Sequence, residues 1–221
     1  MKHLLNAPAR AQTRGEEIAN AISHGLGFGL AVAVLPVLVV AAVRHGSAAD
    51  VVGAALFAAT MAVLYLASTL YHALPPSRAK AWAGRVDHAA IYLFIAGSYT
   101  PFTLGVLRGA WGWTLFGLVW GLAVTGIVLK LTDRLRHPWL STGLYVAMGW
   151  LVLIAVGPLA ERLSATGLAW LVAGGVAYTL GAVAFMLDNG VRYMHFVWHL
   201  AVLAGSACHV AAALGPAYGL S

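Results

Sequence analysis

Charged side chains are scarce in this sequence of 221 residues. Only 9% of them are Asp, Glu, Lys or Arg, whereas 61% are apolar and the mean hydropathy is +0.84. Soluble domains carry roughly 25% charged residues, so a water-exposed surface cannot be built from this composition. Intrinsic disorder is also excluded, because disordered chains have the opposite bias. The composition therefore predicts an integral membrane protein.

Cysteine and lysine are also rare. Cys208 is the only cysteine, so no internal disulfide can form. The three lysines, Lys2, Lys80 and Lys130, are terminal or at the edges of apolar runs. This excludes a retinal protein, which needs a Schiff-base lysine deep in a span. The net charge of +6 does not indicate a nucleic-acid partner, because the basic residues are scattered between apolar runs and do not form one basic face.

Long apolar runs dominate the chain. Seven of them reach the length of about 20 residues that a helix needs to cross a bilayer core. Their apolar residues are continuous and do not alternate with polar ones, which favours helices over the strands of a β-barrel. We predict an all-α integral membrane protein, a single seven-helix bundle over residues 1–221. The predicted spans are residues 21–43, 51–72, 86–107, 111–131, 139–159, 166–187 and 193–214.

The basic residues predict an orientation, because Lys and Arg are held on the cytoplasmic side of a membrane. With the N-terminus inside, ten of the 13 fall in cytoplasmic segments, and only Arg44, Arg108 and Arg162 fall outside. The N-terminus is therefore expected inside and the C-terminus outside. The segment before the first span is too long and mixed for the start of a signal peptide, so that span is expected to be retained. We expect a multi-pass protein of the cell (inner or plasma) membrane.

Several ionisable residues lie within or beside the predicted spans, where they are energetically costly and are functional candidates by default. They are His24, His72, Asp87, His195 and His199. Because successive spans run in opposite directions, all five are expected near the cytoplasmic leaflet. His209 lies 14 residues beyond His195, which is about 21 Å along a helix. It is therefore expected toward the opposite leaflet and outside the site.

A metal site is the sharpest hypothesis for these residues. His195 and His199 are four apart, a spacing that lets two imidazoles on one helix face reach one metal ion. His72 would supply a third nitrogen and leave a fourth position for water, as in a catalytic zinc site. Asp87 could then hold that water or act as a general base, with Ser68 on the same face as His72. The alternative is that the histidines only hydrogen-bond across the bundle, and that Ser68 bonds a backbone carbonyl.

Glu17, Asn20 and His24 are separated by three and four residues and form one polar stripe at the start of span one. We interpret this stripe as support for the site. The alternative is that Glu17 only caps the span and pairs with neighbouring basic residues.

Four segments carry a resemblance to a known family. They are EEIANAISHGLG from Glu16, STLYH from Ser68, DHAAIYLFIAGSYTPF from Asp87 and HFVWHLAVLAGSACH from His195. In these segments the chain resembles the haemolysin III branch of the progestin and adipoQ receptor (PAQR) family. The order and span placement of the segments match over nearly the whole chain.

The resemblance implies a seven-helix bundle with a cytoplasmic N-terminus that encloses a Zn²⁺ ion bound by three histidines. Carried over by motif, the metal ligands are His72, His195 and His199. Asp87 then holds a water in the catalytic site, with Ser68 beside it. Relatives in the broader superfamily, including alkaline ceramidases, hydrolyse lipid amides. The bacterial branch takes its name from a reported haemolytic, pore-forming activity.

Three functions follow as hypotheses. The first is zinc-dependent hydrolysis of a lipid amide or ester, with a membrane lipid entering from the cytoplasmic leaflet as the substrate. The second is a pore-forming cytolysin, although no span carries the full-length polar stripe that an aqueous lumen requires. The third is a non-catalytic receptor or sensor stabilised by zinc, although short loops leave little surface for a signalling partner. No nucleic acid and no protein partner are indicated.

Overall fold

The predicted fold class is confirmed. The computed structural model describes residues 10–218, with side chains as far as Gly215, and this part of the chain contains helices and no strand. Within it, seven helices are long and apolar enough to cross a membrane. Lys2, one of the residues used to predict the orientation, lies outside the described residues, and the orientation itself stays a prediction.

Eight α-helices and two short segments of other helical winding follow one another along the described chain. They are α1 (Arg14–His45), α2 (Ala48–Ala73), α3 (Arg78–Thr100), a π-helical segment (Pro101–Leu107), α4 (Gly109–Leu131), α5 (Pro138–Gly149), a 3-10 segment (Trp150–Ala155), α6 (Val156–Arg162), α7 (Ala165–Leu187) and α8 (Met194–Tyr218). The third span combines α3 with the π-helical segment, and the fifth combines α5, the 3-10 segment and α6.

Two helices begin earlier than the apolar runs predict. Helix α1 begins at Arg14 rather than at residue 21, and α3 at Arg78 rather than at residue 86. In both helices, polar first turns precede the apolar stretch and are part of the helix. The Thr13 side chain caps α1 in a capping box with Glu16, and the Ser77 side chain caps α3. These polar turns carry side chains of the candidate site.

Helix packing places α1 between α2 and α8. Helix α3 packs against α2 and α4, and α7 packs against α8. Side chains such as Leu38 and Phe57 are fully buried between helices, whereas Leu26 and Leu30 are each 66% exposed on the outside. A soluble surface does not present large apolar side chains in this density, so the outer face suits a lipid environment. These helix contacts place the start of α1 beside the end of α2 and the start of α8.

The third span changes its winding at Pro101, where the ring lacks the N–H that an α-helix would use. The hydroxyl of Thr100 donates to the Ala96 carbonyl at 2.9 Å, which satisfies an acceptor at the transition. The segment ends at Leu107, and the guanidinium of the next residue, Arg108, pairs with Asp50 at 2.9 Å. Phe102, in this segment, lines the interior cavity described below.

Helix α2 and the third span meet closely at Gly53, where α3 passes into the π-helical segment. A Cβ atom at this position would lie 2.9 Å from the Cα atom of Pro101, too close for two carbon atoms. The nearest atoms belong to backbone, which cannot rotate away as a flexible side chain can. Gly121 in α4 has open space around the same position, with nothing within 4 Å.

We expect Gly53→Ala to destabilise the protein by about 1–3 kcal/mol, because the added methyl group separates two packed backbones. Thermal unfolding in detergent, followed by tryptophan fluorescence, measures the effect. Gly121→Ala is the matched control and should change stability by no more than about 0.5 kcal/mol. Equal losses in the two variants would contradict this account of the helix contact.

Candidate metal centre

Three imidazole rings meet at one end of the bundle. His72 lies in the last turn of α2, and His195 and His199 lie in the first turns of α8. The ring centre of His72 is 5.0 Å from that of His195 and 5.0 Å from that of His199, and the last two centres are 4.8 Å apart. One nitrogen from each ring lies within 4.8 Å of the other two. The three rings, from two helices far apart in sequence, therefore form one group that can hold a metal ion.

Two of the rings are held by carboxylates. Nδ1 of His72 is 2.8 Å from Oε2 of Glu17, and Nδ1 of His195 is 3.2 Å from Oδ2 of Asp188. A carboxylate accepts hydrogen bonds, so the proton of each neutral ring lies on Nδ1 and the lone pair lies on Nε2. Nε2 of His72 is buried and has no hydrogen-bond partner among the described residues.

The third ring is held by α1. Nδ1 of His199 is 3.0 Å from Oγ of Ser23 and 3.3 Å from the carbonyl oxygen of Asn20. The carbonyl can only accept, so this ring also carries its proton on Nδ1. All three histidines thus use Nδ1 for hydrogen bonds to the protein, which leaves Nε2 of each ring for a ligand.

This arrangement fits a transition-metal ion. Histidines that bind a metal usually donate their other N–H to a carboxylate or a carbonyl, as all three rings do here. Three imidazoles that bind one tetrahedral ion at 2.0–2.1 Å have ring centres about 5 Å apart, which is the separation observed. Nitrogen donors suit Zn²⁺, Cu²⁺, Fe²⁺ and Ni²⁺ rather than Mg²⁺ or Ca²⁺.

Asp87 and Ser68 lie beside this group. Both are buried, and both line the same cavity as His195 and His199. The Asp87 carboxylate faces the Ser68 hydroxyl and the His195 ring. It does not belong to the close set of ligand atoms, so it is not a fourth direct ligand in this arrangement. Its neighbour His88 bonds the carbonyl oxygen of Gly84 at 2.6 Å and stays outside the group.

The polar stripe of α1 also contacts the metal group. Glu17 bridges Nδ1 of His72 and, at 3.0 Å, Nζ of Lys80, so it both orients a ring and pairs with a basic residue. The side-chain amide of Asn20 is buried without a hydrogen-bond partner among the described residues. The His24 ring stacks on His199 at 3.5 Å between centres, and neither of its buried nitrogens has a partner in the described part of the chain. His24 lines the cavity next to the metal group.

Asp188 is a residue of this site that the sequence did not indicate. It follows α7 and holds His195, while its two oxygens also accept from Nε2 of Gln12 at 2.8 and 2.7 Å. Burial acts to raise the pKa of Asp188, but the hydrogen bonds from His195 and Gln12 and the Arg10 charge together hold that pKa below its usual value. The carboxylate is therefore ionised where it meets the ring. No periodicity relates a turn residue to a helical ligand, so spacing could not have found it.

Glu16 is the second residue that sequence reasoning missed. Its carboxylate is fully buried and accepts two hydrogen bonds from the Arg10 guanidinium, at 2.9 and 2.6 Å. It also accepts from the backbone N–H of Tyr193 at 2.9 Å, just before α8 begins. The Glu16 hydrogen bond raises the pKa of Arg10. Glu16 therefore ties the start of α1 to the start of α8, close to His195.

A cavity of about 200 Å³ extends from the metal group into the bundle. His24, Ser68 and Asp87 line it near the metal group, and most of its remaining wall is apolar. His209 also lines the cavity but lies outside the group of metal-binding atoms. Leu153 and Val172 line it as well, yet each is more than half exposed on the outer surface. The cavity thus reaches the outer surface between the fifth span and α7.

Comparisons with known proteins agree with the resemblance in the sequence. Residues 12–210 match the family model described as "Haemolysin-III related". The chain is 44% identical to Hemolysin-3 of Bacillus cereus over 192 residues, which is 87% of each chain. It is 45% identical to the Hemolysin-3 homolog of Bacillus subtilis (strain 168), over 87% of this chain and 90% of that one. It is 27% identical to the monocyte to macrophage differentiation factor of Homo sapiens, over 95% of this chain and 88% of that one.

We expect His72→Ala, His195→Ala and His199→Ala each to lower the bound transition metal from about one ion per chain to nearly none, because two imidazoles hold such an ion weakly. Elemental mass spectrometry of the purified protein measures the metal content. His209→Ala is the matched control, since it removes an imidazole from the same helix and the same cavity. A folded wild type without metal would contradict the prediction.

Glu17→Gln should weaken metal binding by about 10–100-fold, because it removes the charged acceptor that orients His72. Competition with a chromophoric chelator measures the affinity. Glu161→Gln, which changes an exposed carboxylate in α6, should leave the affinity unchanged. An affinity equal to that of the wild type in Glu17→Gln would show that this hydrogen bond does not support the metal group.

Proposed function

The chain belongs to the haemolysin III-related family of multi-pass membrane proteins, and we propose that it is a zinc-dependent hydrolase of a lipid amide or ester. One observation carries the proposal. Two of the three grouped histidines, His195 and His199, line an apolar cavity that a buried carboxylate, Asp87, and a buried hydroxyl, Ser68, also line. A metal with only a structural role would need neither a cavity nor these two groups.

The number of ligands supports catalysis. Structural zinc sites are closed by four protein ligands, whereas catalytic sites keep three and leave one position open. Within the described residues the close group holds three, and Asp87 stands outside it. Zinc in such a site polarises a carbonyl group and lowers the pKa of a water molecule toward 7.

Three side chains of the protein then have separate roles in the reaction. Asp87 takes a proton from the attacking water as general base and returns it to the leaving amine or alcohol as general acid. Ser68 donates a hydrogen bond toward the carbonyl oxygen, on which negative charge develops. His24 lines the same cavity, its ring nitrogens have no hydrogen-bond partner among the described residues, and it can bond the polar part of the substrate. Water adds to the carbonyl, the C–N or C–O bond breaks, and a fatty acid leaves with the amine or alcohol.

The cavity supports a lipid as the substrate. Its walls beyond the metal group are apolar, so an acyl chain loses little by leaving the bilayer and a soluble polar metabolite gains nothing by entering. Leu153, Val156 and Val172 line the cavity where it reaches the outside of the bundle. A lipid can therefore enter sideways from the membrane, with its acyl chain in the cavity and its amide or ester at the histidines.

Pore formation receives less support from the geometry. Two relatives carry the name Hemolysin-3, which describes an effect on cells. An aqueous pore needs polar groups along its whole length. Here the ionisable groups of the cavity concentrate near the metal group, and most of the other lining residues are apolar.

Asp87→Asn should lower lipid hydrolysis by about 10²–10⁴-fold, the usual contribution of a general base, while about one zinc ion per chain is retained. The measurement is fatty-acid release from proteoliposomes that contain ceramide or a phospholipid ester. Glu161→Gln is the control for loss of a carboxylate, and its rate should equal that of the wild type.

Dye release from the same liposomes separates the alternatives. Two results together would favour a pore over a hydrolase: leakage persists in Asp87→Asn and in His195→Ala, and the zinc-loaded wild type releases no fatty acid. If the protein binds metal but shows neither hydrolysis nor leakage, the remaining interpretation is a zinc ion with a structural role.

A further inference from the structure

A second pocket lies against the metal cavity at the same end of the bundle. Its volume is about 430 Å³, and its walls come from α3, the end of α4, the turn at residues 132–137, α5 and the end of α7. His88, Tyr145 and Phe185 line both pockets and so form the wall between them. We call this second space the basic pocket.

The basic pocket carries an excess of positive charge. Arg85, Lys130 and Arg136 line it, and Asp133 is its single acidic residue. The Asp133 carboxylate is already engaged, at 3.4 Å from Arg85 and 2.6 Å from Arg136. Three positive charges and one negative charge leave a formal excess of +2.

Of the three basic side chains that line this pocket, Lys130 is the one without an ion pair among the described residues. It is partly buried, and no carboxylate of the described residues lies within 4.0 Å of its ammonium group. Asp133, the acidic residue of the same pocket, faces the two guanidinium groups instead. A partly buried ammonium without a counter-ion is costly, and an anion from outside the chain would relieve that cost.

The turn presents these charges in a fixed arrangement. The N–H of Asp133 donates to the carbonyl of Lys130 at 3.1 Å, and Nε of Arg136 donates to the carbonyl of Asp133 at 2.8 Å. Leu135 is buried and anchors the turn against the bundle. A folded turn, rather than a loose basic segment, therefore shapes this pocket.

We propose that the basic pocket binds a phosphate group, carried by the headgroup of an anionic membrane lipid. Two guanidinium groups and an ammonium supply the charge-assisted hydrogen bonds that phosphate oxygens accept. The pocket lies where α4 ends and a polar turn begins, and the ends of membrane-spanning helices are expected at the depth of the lipid headgroups. Basic pockets between helices at such a depth bind anionic headgroups. The proposal does not depend on hydrolysis at the metal group.

Native mass spectrometry of the purified protein with added phosphatidylglycerol tests the proposal, with phosphatidylcholine as the comparison. We expect one phosphatidylglycerol per chain to be retained preferentially. Lys130→Gln should weaken this binding at least about fivefold, the equivalent of about 1 kcal/mol for one basic residue. Arg134→Gln is the matched control: the residue lies in the same turn and is exposed, but it is not among the residues that line the pocket.

The outcomes separate a site from general surface charge. Equal weakening by Lys130→Gln and Arg134→Gln would overturn the proposal, because it would show attraction without a specific pocket.

Inorganic phosphate is tested alone by its effect on thermal unfolding. Suppose that phosphate stabilises the wild type but not Lys130→Gln, and that no phosphatidylglycerol is retained. This result would overturn the lipid source and identify free phosphate as the ligand. The metal content of Lys130→Gln should equal that of the wild type, which verifies the fold independently of any hydrolysis.

Discussion

The candidate site depends on the hydrogen bonds that occupy Nδ1 of its three histidines. An imidazole nitrogen buried without a partner costs about 1–3 kcal/mol, and more in a site without water. Glu17, Asp188 and the Ser23–Asn20 pair each remove that cost at one nitrogen of a ring. The same bonds determine which nitrogen keeps its lone pair. An ion that binds Nε2 of all three rings satisfies the remaining nitrogens, so metal binding should stabilise this end of the bundle.

The first helix is therefore more than a membrane anchor. It lies between α2 and α8, and this position lets Glu17 reach His72 while Ser23 reaches His199. Glu16, on the same helix, binds Arg10 and the backbone of Tyr193, which ties α1 to the start of α8. Because α1 contacts both helices that carry histidines, its rotation or displacement would disturb all three rings at once.

Much of this arrangement follows from patterns that a sequence displays. Apolar runs mark helices that cross a membrane, and a separation of four places His195 and His199 on one face. Alternating span direction places His72 at the same depth, and the structure brings its ring within 5.0 Å of both. The remainder depends on contacts between residues whose separation along the chain follows no helical periodicity. Asp188 lies in a turn and Glu16 in a polar first turn, and their partners are set by how the helices pack. Apolar runs also placed the start of two predicted spans too late, because capped polar first turns begin α1 and α3 earlier in the chain.

The wall between the two pockets has a chemical consequence. Phosphate oxygens bind transition-metal ions and would compete with a carbonyl group for an open coordination position. His88 and Tyr145 stand between the basic pocket and the metal cavity, and the Tyr145 hydroxyl donates to the carbonyl of His88 at 3.0 Å, which fastens α5 to α3. A phosphate held by Lys130 and Arg85 is thereby kept from the histidines, although both sites lie at the same end of the bundle. If both proposals hold, an anionic headgroup and an uncharged amide or ester bind at separate places, and only the second can reach the metal.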